Sequence, residues 1–143
     1  MENKNLIKML LSSFAIMYIL MYSMVDKYEN IYNSLNQFFM ASLMTSAMLM
    51  IEIWAMKQMY DKNTQKKMFL LGLVCFTLSY VFIRNQIGIS DKDFLRSMIS
   101  HHGSAILMCE KTKIKDGEIK KLCDSIISNQ QTEIDWMRSK LSK

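Results

Sequence analysis

The chain has 143 residues, half of them hydrophobic, and a formal net charge of +5 at pH 7. A basic balance can indicate nucleic-acid binding, but no basic stripe with interleaved aromatic residues is present, so we expect no nucleic-acid partner. The hydrophobic residues are concentrated in the first 83 positions, which indicates a membrane protein whose partner is the lipid bilayer.

Three apolar segments are candidate membrane spans. Residues 6–25 and 38–56 are each long enough, as helices, to cross a hydrocarbon core of about 30 Å. The third run, 68–83, would measure only about 24 Å, but flanking lysine and arginine side chains can snorkel and extend its reach. The sequence therefore predicts a membrane domain over residues 1–84, with transmembrane helices at about 6–25, 38–59 and 68–84.

Lysine placement predicts the orientation, because cytoplasmic loops carry an excess of lysine and arginine. Lys4 and Lys8 precede the first span, and four lysines lie between the second and third spans. The loop between the first two spans carries only Lys27, which two acidic residues offset. We expect a multi-pass protein of the cell (inner) membrane, with its N-terminus cytoplasmic and residues 85–143 extracytoplasmic.

Fifteen methionines are an unusual number for this length. In the second span they follow a four-residue step at Met40, Met44, Met48 and Met56, with Glu52 in the missing place. A thioether track for Cu(I) would have this pattern, but methionine also packs readily as a flexible apolar residue, and we favour packing. Glu52 is costly in lipid, so we expect it to face protein, with Lys8 as its partner.

Residues 85–143 have mixed charge and a helical period, which predicts two helices joined by a turn. Ser90 and Asp93 resemble a capping box at the start of the first helix. Asp116 lies in a turn sequence and can cap the second helix. The segment therefore predicts a helical hairpin.

The chain has three cysteines. If the hairpin folds back about residue 116, Cys109 faces Cys123. Outside the cytoplasm this pair can form a disulfide, and free thiols that line a metal site or the core fit the spacing equally well. Cys75 lies midway along the third span, and we expect a structural role for it.

The chain's two histidines are adjacent and lie near sulfur-bearing residues. The predicted hairpin places His102 opposite Gln130 and brings Met98, His101 and His102 toward Gln130, Glu133 and Met137 on the second helix. Neutral imidazole combined with thioether suits copper, and thioether particularly suits Cu(I). The spacing alone leaves metal binding and ordinary hydrogen bonding at the edge of the core equally open.

Two motifs in this segment resemble those of a known family. Residues 98–108, MISHHGSAILM, resemble the M-I-P-H-H-Q-G-A-I-x-M signature of the family catalogued as domain of unknown function 305, and residues 126–137 resemble its second motif, I-I-x-x-Q-x-x-E-I-x-x-M. Ser100 replaces the proline of the signature, Gly103-Ser104 stands for Gln-Gly, and Leu107 occupies a position that is often acidic.

This resemblance implies a ferritin-like helical bundle outside the cytoplasm, linked in some members to copper or silver. It also implies a metal-ligand set, which falls here on Met98, His101, His102, Met108, Glu133 and Met137. Because a ferritin-like bundle takes four helices and the segment supplies two, we expect a homodimer through the C-terminal hairpin. The alternative is that the hairpin packs on the membrane surface, with Trp136 and nearby lysines against lipid headgroups.

The sequence thus predicts an all-α protein with three transmembrane helices followed by an extracytoplasmic hairpin that forms half a ferritin-like bundle. We expect it to bind copper, or else silver or another soft metal, for buffering, sensing or delivery. No nucleophile–base set, phosphate-binding glycine loop or paired-carboxylate site can be assembled, so we expect no enzyme. One alternative is a structural or assembly protein without metal. The other is a ferritin-like redox enzyme, which the lack of Glu-x-x-His pairs disfavours.

Overall fold

The computed structural model describes residues 2–142, without the side chains of residues 2 and 3. Within that range the chain forms five α-helices and two short 3-10 turns, and it contains no strand, so the predicted all-α class is confirmed. The helices are α1 (Glu2–Leu20), α2 (Leu35–Ala55), α3 (Lys62–Asn85), α4 (Asp91–Lys111) and α5 (Gly117–Leu141), and the 3-10 turns are Met21–Met24 and Tyr28–Asn30.

The first three helices are long and apolar enough to cross a membrane. The candidate spans are Lys4–Met24, Leu35–Ala55 and Lys62–Asn85. The third has 24 residues, or about 36 Å of helix, and so exceeds the apolar run that marked it in the sequence. The added length is its polar first turns, which are helical because Asp61 caps them.

The Asp61 carboxylate accepts hydrogen bonds from the backbone N–H groups of Asn63 and Thr64, both at 2.9 Å. A side-chain hydrogen bond from Thr64, together with these backbone bonds, holds the pKa of the Asp61 carboxyl below its ordinary value. The cap thus satisfies backbone donors that the start of a helix would otherwise leave unpaired.

One compact unit combines Met1–Met21 with Asn36–Gly88. A buried apolar cluster in it consists of Leu6, Leu49 and Ile53. Gly72 of α3 lies so close to α2 that an added Cβ would be 2.9 Å from Met50 Cγ. Such close contact through small residues is typical of helices packed within membranes.

Two expectations from the sequence concern side chains of this unit, namely the partner of Glu52 and the methionine pattern of α2. Glu52 is half-buried and Lys8 is exposed, and the described residues contain no ion pair between them, so the expected partnership is not formed. Met40 and Met44, two residues of the methionine pattern, are exposed on α2.

The other compact unit combines Tyr22–Leu35 with Ile89–Lys143, and we call it the outer module. Helices α4 and α5 form the predicted hairpin. The side chain of Ser90 caps α4 by accepting from Asp93 N–H at 3.2 Å, and Asp116 caps α5 by accepting from Glu118 N–H at 2.8 Å. Both predicted caps are confirmed.

Cys109 and Cys123 form a disulfide with a Cα–Cα distance of 5.2 Å. Their spacing left a disulfide and two free thiols equally open, and the structure shows the disulfide. The buried core of the hairpin consists of Ile99, Ile106, Ile134 and Met137. A part of the outer module that the sequence did not predict is Tyr22–Leu35, because the sequence pattern assigned these residues to the membrane domain, as the end of the first span and the loop that follows it.

Candidate metal site in the outer module

A cavity of about 420 Å³ opens between α4 and α5. Its lining comprises Phe94, Leu95, Met98 and His102 from α4, and Thr132, Glu133, Trp136 and Met137 from α5. Four of the six residues proposed as metal ligands therefore line one cavity, namely Met98, His102, Glu133 and Met137.

His102 is the buried polar residue of this cavity, with only 7% of its surface exposed. Its Nε2 lies 2.5 Å from Glu133 Oε2. Its Nδ1 is also buried, and it has no hydrogen-bond partner within residues 2–142. When Nε2 donates its proton to the Glu133 carboxylate, Nδ1 carries a lone pair and acts as an acceptor.

The two methionines add soft donors to the same cavity. Met137 is 5% exposed and belongs to the buried core of the hairpin, and Met98 packs against that core. Thioether sulfur and neutral imidazole nitrogen together suit a soft metal such as Cu(I). In metal sites a carboxylate commonly accepts from the other ring nitrogen of a ligating histidine and fixes the ring's orientation. The donor set therefore fits copper, with Glu133 as the residue that orients His102.

The structure does not place His101 and Met108 in this cavity. His101 is exposed, with its ring centroid 6.0 Å from that of His102, and Met108 is 50% exposed. Phe94, His101 and Met108 recur at seven-residue intervals, so they share one face of α4. Of the described residues, no three or more histidine, cysteine or acidic side chains form a group that could hold a metal. A site here would thus depend on thioether ligands.

A polar network centred on Asn30 was not predicted from the sequence. Asn30 is 1% exposed, and its side chain donates to Asp26 Oδ1 at 2.6 Å and accepts from Arg138 Nη2 at 2.8 Å. Ser100 Oγ donates to the backbone carbonyl of Asn30 at 2.8 Å and accepts from Tyr32 N–H at 3.3 Å. These bonds fix the segment 22–35 against both helices of the hairpin.

Gly103 gives this segment the room that it needs. A Cβ added at Gly103 would lie 2.5 Å from Asp26 Oδ1 and 3.2 Å from Val25 Cγ1. Ser100 and Gly103 are also two of the positions at which the sequence departs from the family signature. These two departures are the sequence features that indicated an additional contact on α4.

The structure is that of an all-α membrane-protein candidate, with three potential spans and a compact outer module containing a histidine–methionine cavity. Residues 83–141 match the family described as Domain of unknown function (DUF305), and the chain belongs to that family. The predicted resemblance is therefore confirmed.

The similarity to a known relative covers the whole chain. The protein named "Uncharacterized protein L153", from Acanthamoeba polyphaga mimivirus, is 31% identical over 146 residues, which cover 100% of this chain and 95% of the relative. No solved structure matches the chain. The relative therefore shares the region of the candidate spans as well as that of the outer module.

Proposed function

We propose that the outer module binds a soft metal ion, copper in the first place, through His102, Met98 and Met137. The proposal depends on one observation: His102 lines a cavity together with Met98 and Met137, and its buried Nδ1 has no hydrogen-bond partner in residues 2–142. The proposed role is metal buffering, sensing or delivery.

The energetics of burial support a ligand at this nitrogen. A buried polar atom without a partner costs about 1–3 kcal/mol. A bound metal offsets that cost, and the Glu133 carboxylate bonded to Nε2 keeps the ring in one orientation and strengthens its donor character. Two methionines in place of carboxylates favour Cu(I) or Ag(I) over Mg²⁺, Ca²⁺ or Mn²⁺, because thioethers are soft ligands.

The outer module also supports the proposed topology. It contains both the loop between α1 and α2 and the hairpin that follows α3. Parts of one compact unit lie on the same side of a membrane, so an even number of crossings separates them, and α2 and α3 supply two. With the lysine asymmetry, this favours a cytoplasmic N-terminus and an extracytoplasmic outer module.

Copper binding is tested on the purified full-length protein in detergent, by competition with a chromophoric Cu(I) chelator. We expect His102→Ala to abolish high-affinity binding and the double variant Met98→Leu/Met137→Leu to weaken it at least tenfold, because leucine keeps the volume and removes the sulfur. Met24→Leu is the matched control, since Met24 is an exposed methionine of the same module.

His101→Ala measures whether the exposed imidazole contributes a ligand. The proposal fails if His102→Ala and the double methionine variant retain the stoichiometry and affinity of the wild type while remaining folded. In that case the cavity residues are structural, and a module without metal becomes the better description.

A further inference from the structure

A second cavity of the outer module, of about 470 Å³, shares no lining residue with the His102 cavity. Residues 31–33 line this cavity, together with three cationic side chains. These are Lys92 and Arg96 of α4 and Arg138 of α5. We call it the basic pocket.

The charge of the basic pocket is largely unneutralised. No acidic residue lines it. Arg138 is paired with Glu29 at 3.5 Å, whereas neither Lys92 nor Arg96 takes part in an ion pair in the part of the chain that the structure describes. Lys92 and Arg96 are four residues apart on one helix, where like charges repel each other. An anion between them would remove that repulsion.

The pocket is held in shape by buried contacts. Arg138 is fixed by its 2.8 Å hydrogen bond to Asn30, which is almost fully buried. A guanidinium has five N–H donors in a planar fork that matches phosphate oxygens, so donors remain after the bond to Asn30. Ser100 fixes the backbone of Tyr32 on the same wall. The wall formed by Arg138 and Tyr32 is therefore preformed, and the exposed side chains of Lys92 and Arg96 lie beside it.

Chain connectivity keeps one lining residue of the basic pocket close to the start of a candidate span. Asn33, which lines it, is two residues before Leu35, the first residue of α2 and of a candidate span. An extended chain covers at most about 3.5 Å per residue, so Asn33 lies within about 7 Å of that helix end. The headgroup layer on each side of a bilayer is itself about 5–7 Å thick. The pocket is thus within reach of this layer.

We propose that the basic pocket binds the phosphate group of an anionic phospholipid headgroup and so docks the outer module on its own membrane. Arg138 and Arg96 supply directional donors to the phosphate oxygens, and Lys92 adds a point charge. The proposal is independent of metal binding, because the two cavities share no residue. A free phosphate ion has the same chemistry, so the test must separate the two sources.

The test uses the full-length protein in a neutral detergent. Phosphatidylglycerol or phosphatidylcholine is added in equal amounts, and bound lipid is counted by native mass spectrometry. Inorganic phosphate is titrated separately, with the thermal midpoint as the readout. The pocket variant is Lys92→Gln/Arg96→Gln, and the control with the same charge change is Lys120→Gln/Lys121→Gln, at exposed positions of α5 outside the pocket.

We expect the wild type and the control to retain phosphatidylglycerol in preference to phosphatidylcholine, and the pocket variant to bind it on the order of tenfold more weakly. Added salt should weaken the binding, because the pocket is open to solvent. The charge-preserving variant Lys92→Arg/Arg96→Lys should keep the preference, which separates a lost charge from a failure to fold.

Equal losses in the pocket variant and in the control would overturn the proposal, since they would indicate diffuse attraction to the whole basic surface. Stabilisation by inorganic phosphate without a preference for phosphatidylglycerol would overturn the lipid as the source of the phosphate. Cu(I) binding should be unchanged in the pocket variant, so failure of the lipid proposal is distinguishable from failure of the metal proposal.

Discussion

At the scale of single residues, Gly103 determines how closely residues 25 and 26 approach α4. An alanine there would place its Cβ 2.5 Å from Asp26 Oδ1, and Asp26 cannot retreat without losing its bond to Asn30. The clash exceeds the helix-propensity gain of about 1 kcal/mol that alanine brings. We expect Gly103→Ala to destabilise the outer module by a net of about 1–2 kcal/mol, measured as the free energy of unfolding.

Gly117→Ala provides the matched control for this prediction. Gly117 begins α5, and an added Cβ there would meet no atom within 4 Å. Alanine at that position should leave the free energy of unfolding unchanged or raise it slightly, because alanine narrows the unfolded ensemble. If both variants lowered stability equally, close packing at Gly103 would not be the cause.

The acid sensitivity of metal binding is also set at this scale. Protons compete with a metal for an imidazole nitrogen, so the proposed copper affinity should fall across a series of buffers of decreasing pH. The affinity falls rather than rises because a protonated imidazole nitrogen has no lone pair with which to bind the metal. Chelator competition across this series checks the prediction, and an affinity that stays constant would exclude His102 as a ligand.

At the scale of elements, the sequence predicted the caps and the hairpin, because these features depend on local residue patterns. The caps at Ser90 and Asp116 and the hairpin with Cys109 opposite Cys123 follow from short-range rules of charge, turn residues and helical period. The third span extends to Lys62 because Asp61 caps a polar first turn, which an apolar-run criterion does not detect.

The segment 22–35 could not be predicted in the same way. It has no sustained period, and its position depends on hydrogen bonds between residues that are far apart in the chain, such as Asn30 and Arg138. In the candidate site, the pattern predicted that the helix end with His102 meets the end with Gln130 and Glu133. The structure pairs His102 with Glu133, and the exposure of His101 depends on how the hairpin faces its surroundings.

The disulfide is the covalent constraint of the hairpin, joining α4 to α5 across a sequence separation of 14. Closing a loop of about 15 residues restricts the unfolded chain and contributes about 3 kcal/mol in the chain-entropy account. We expect Cys109→Ser/Cys123→Ser to lose about that much in free energy of unfolding. Cys75→Ser is the control, since Cys75 is a free, exposed thiol, and it should change stability little.

At the scale of the whole molecule, the topology prediction rests on α3 as a true span. Reporter fusions after residue 143 should be active only on the extracytoplasmic side, and fusions at Lys62 only in the cytoplasm, because the loop before α3 is rich in lysine. A C-terminal fusion that is active in the cytoplasm would contradict the orientation. It would also remove the oxidising environment in which the disulfide persists.

An exposed stripe of side chains on α4 offers a surface on which a second copy of the outer module can pack. Phe94 and Met108 are each about half exposed, and His101 lies between them on the same helical face. A seven-residue interval is the spacing of a helix that packs along a second helix. We propose that two copies pair through this stripe to form a four-helix bundle, with each His101 directed to the other copy.

Crosslinking in native membranes tests the pairing, in a background that keeps the Cys109–Cys123 disulfide and lacks only the free thiol of Cys75. Cysteines at positions 94, 101 and 108 should form dimers with a thiol-specific crosslinker, because they lie on the stripe. Cysteines at 96 and 110 are the controls, since those positions lie on the far side of α4.

Crosslinking at all five positions would indicate random collision, and a monomer at all five would leave the module as an isolated hairpin with segment 22–35. A dimer specific to the stripe would bring four helices together and would put both exposed imidazoles within the assembly, where they could complete the coordination of copper.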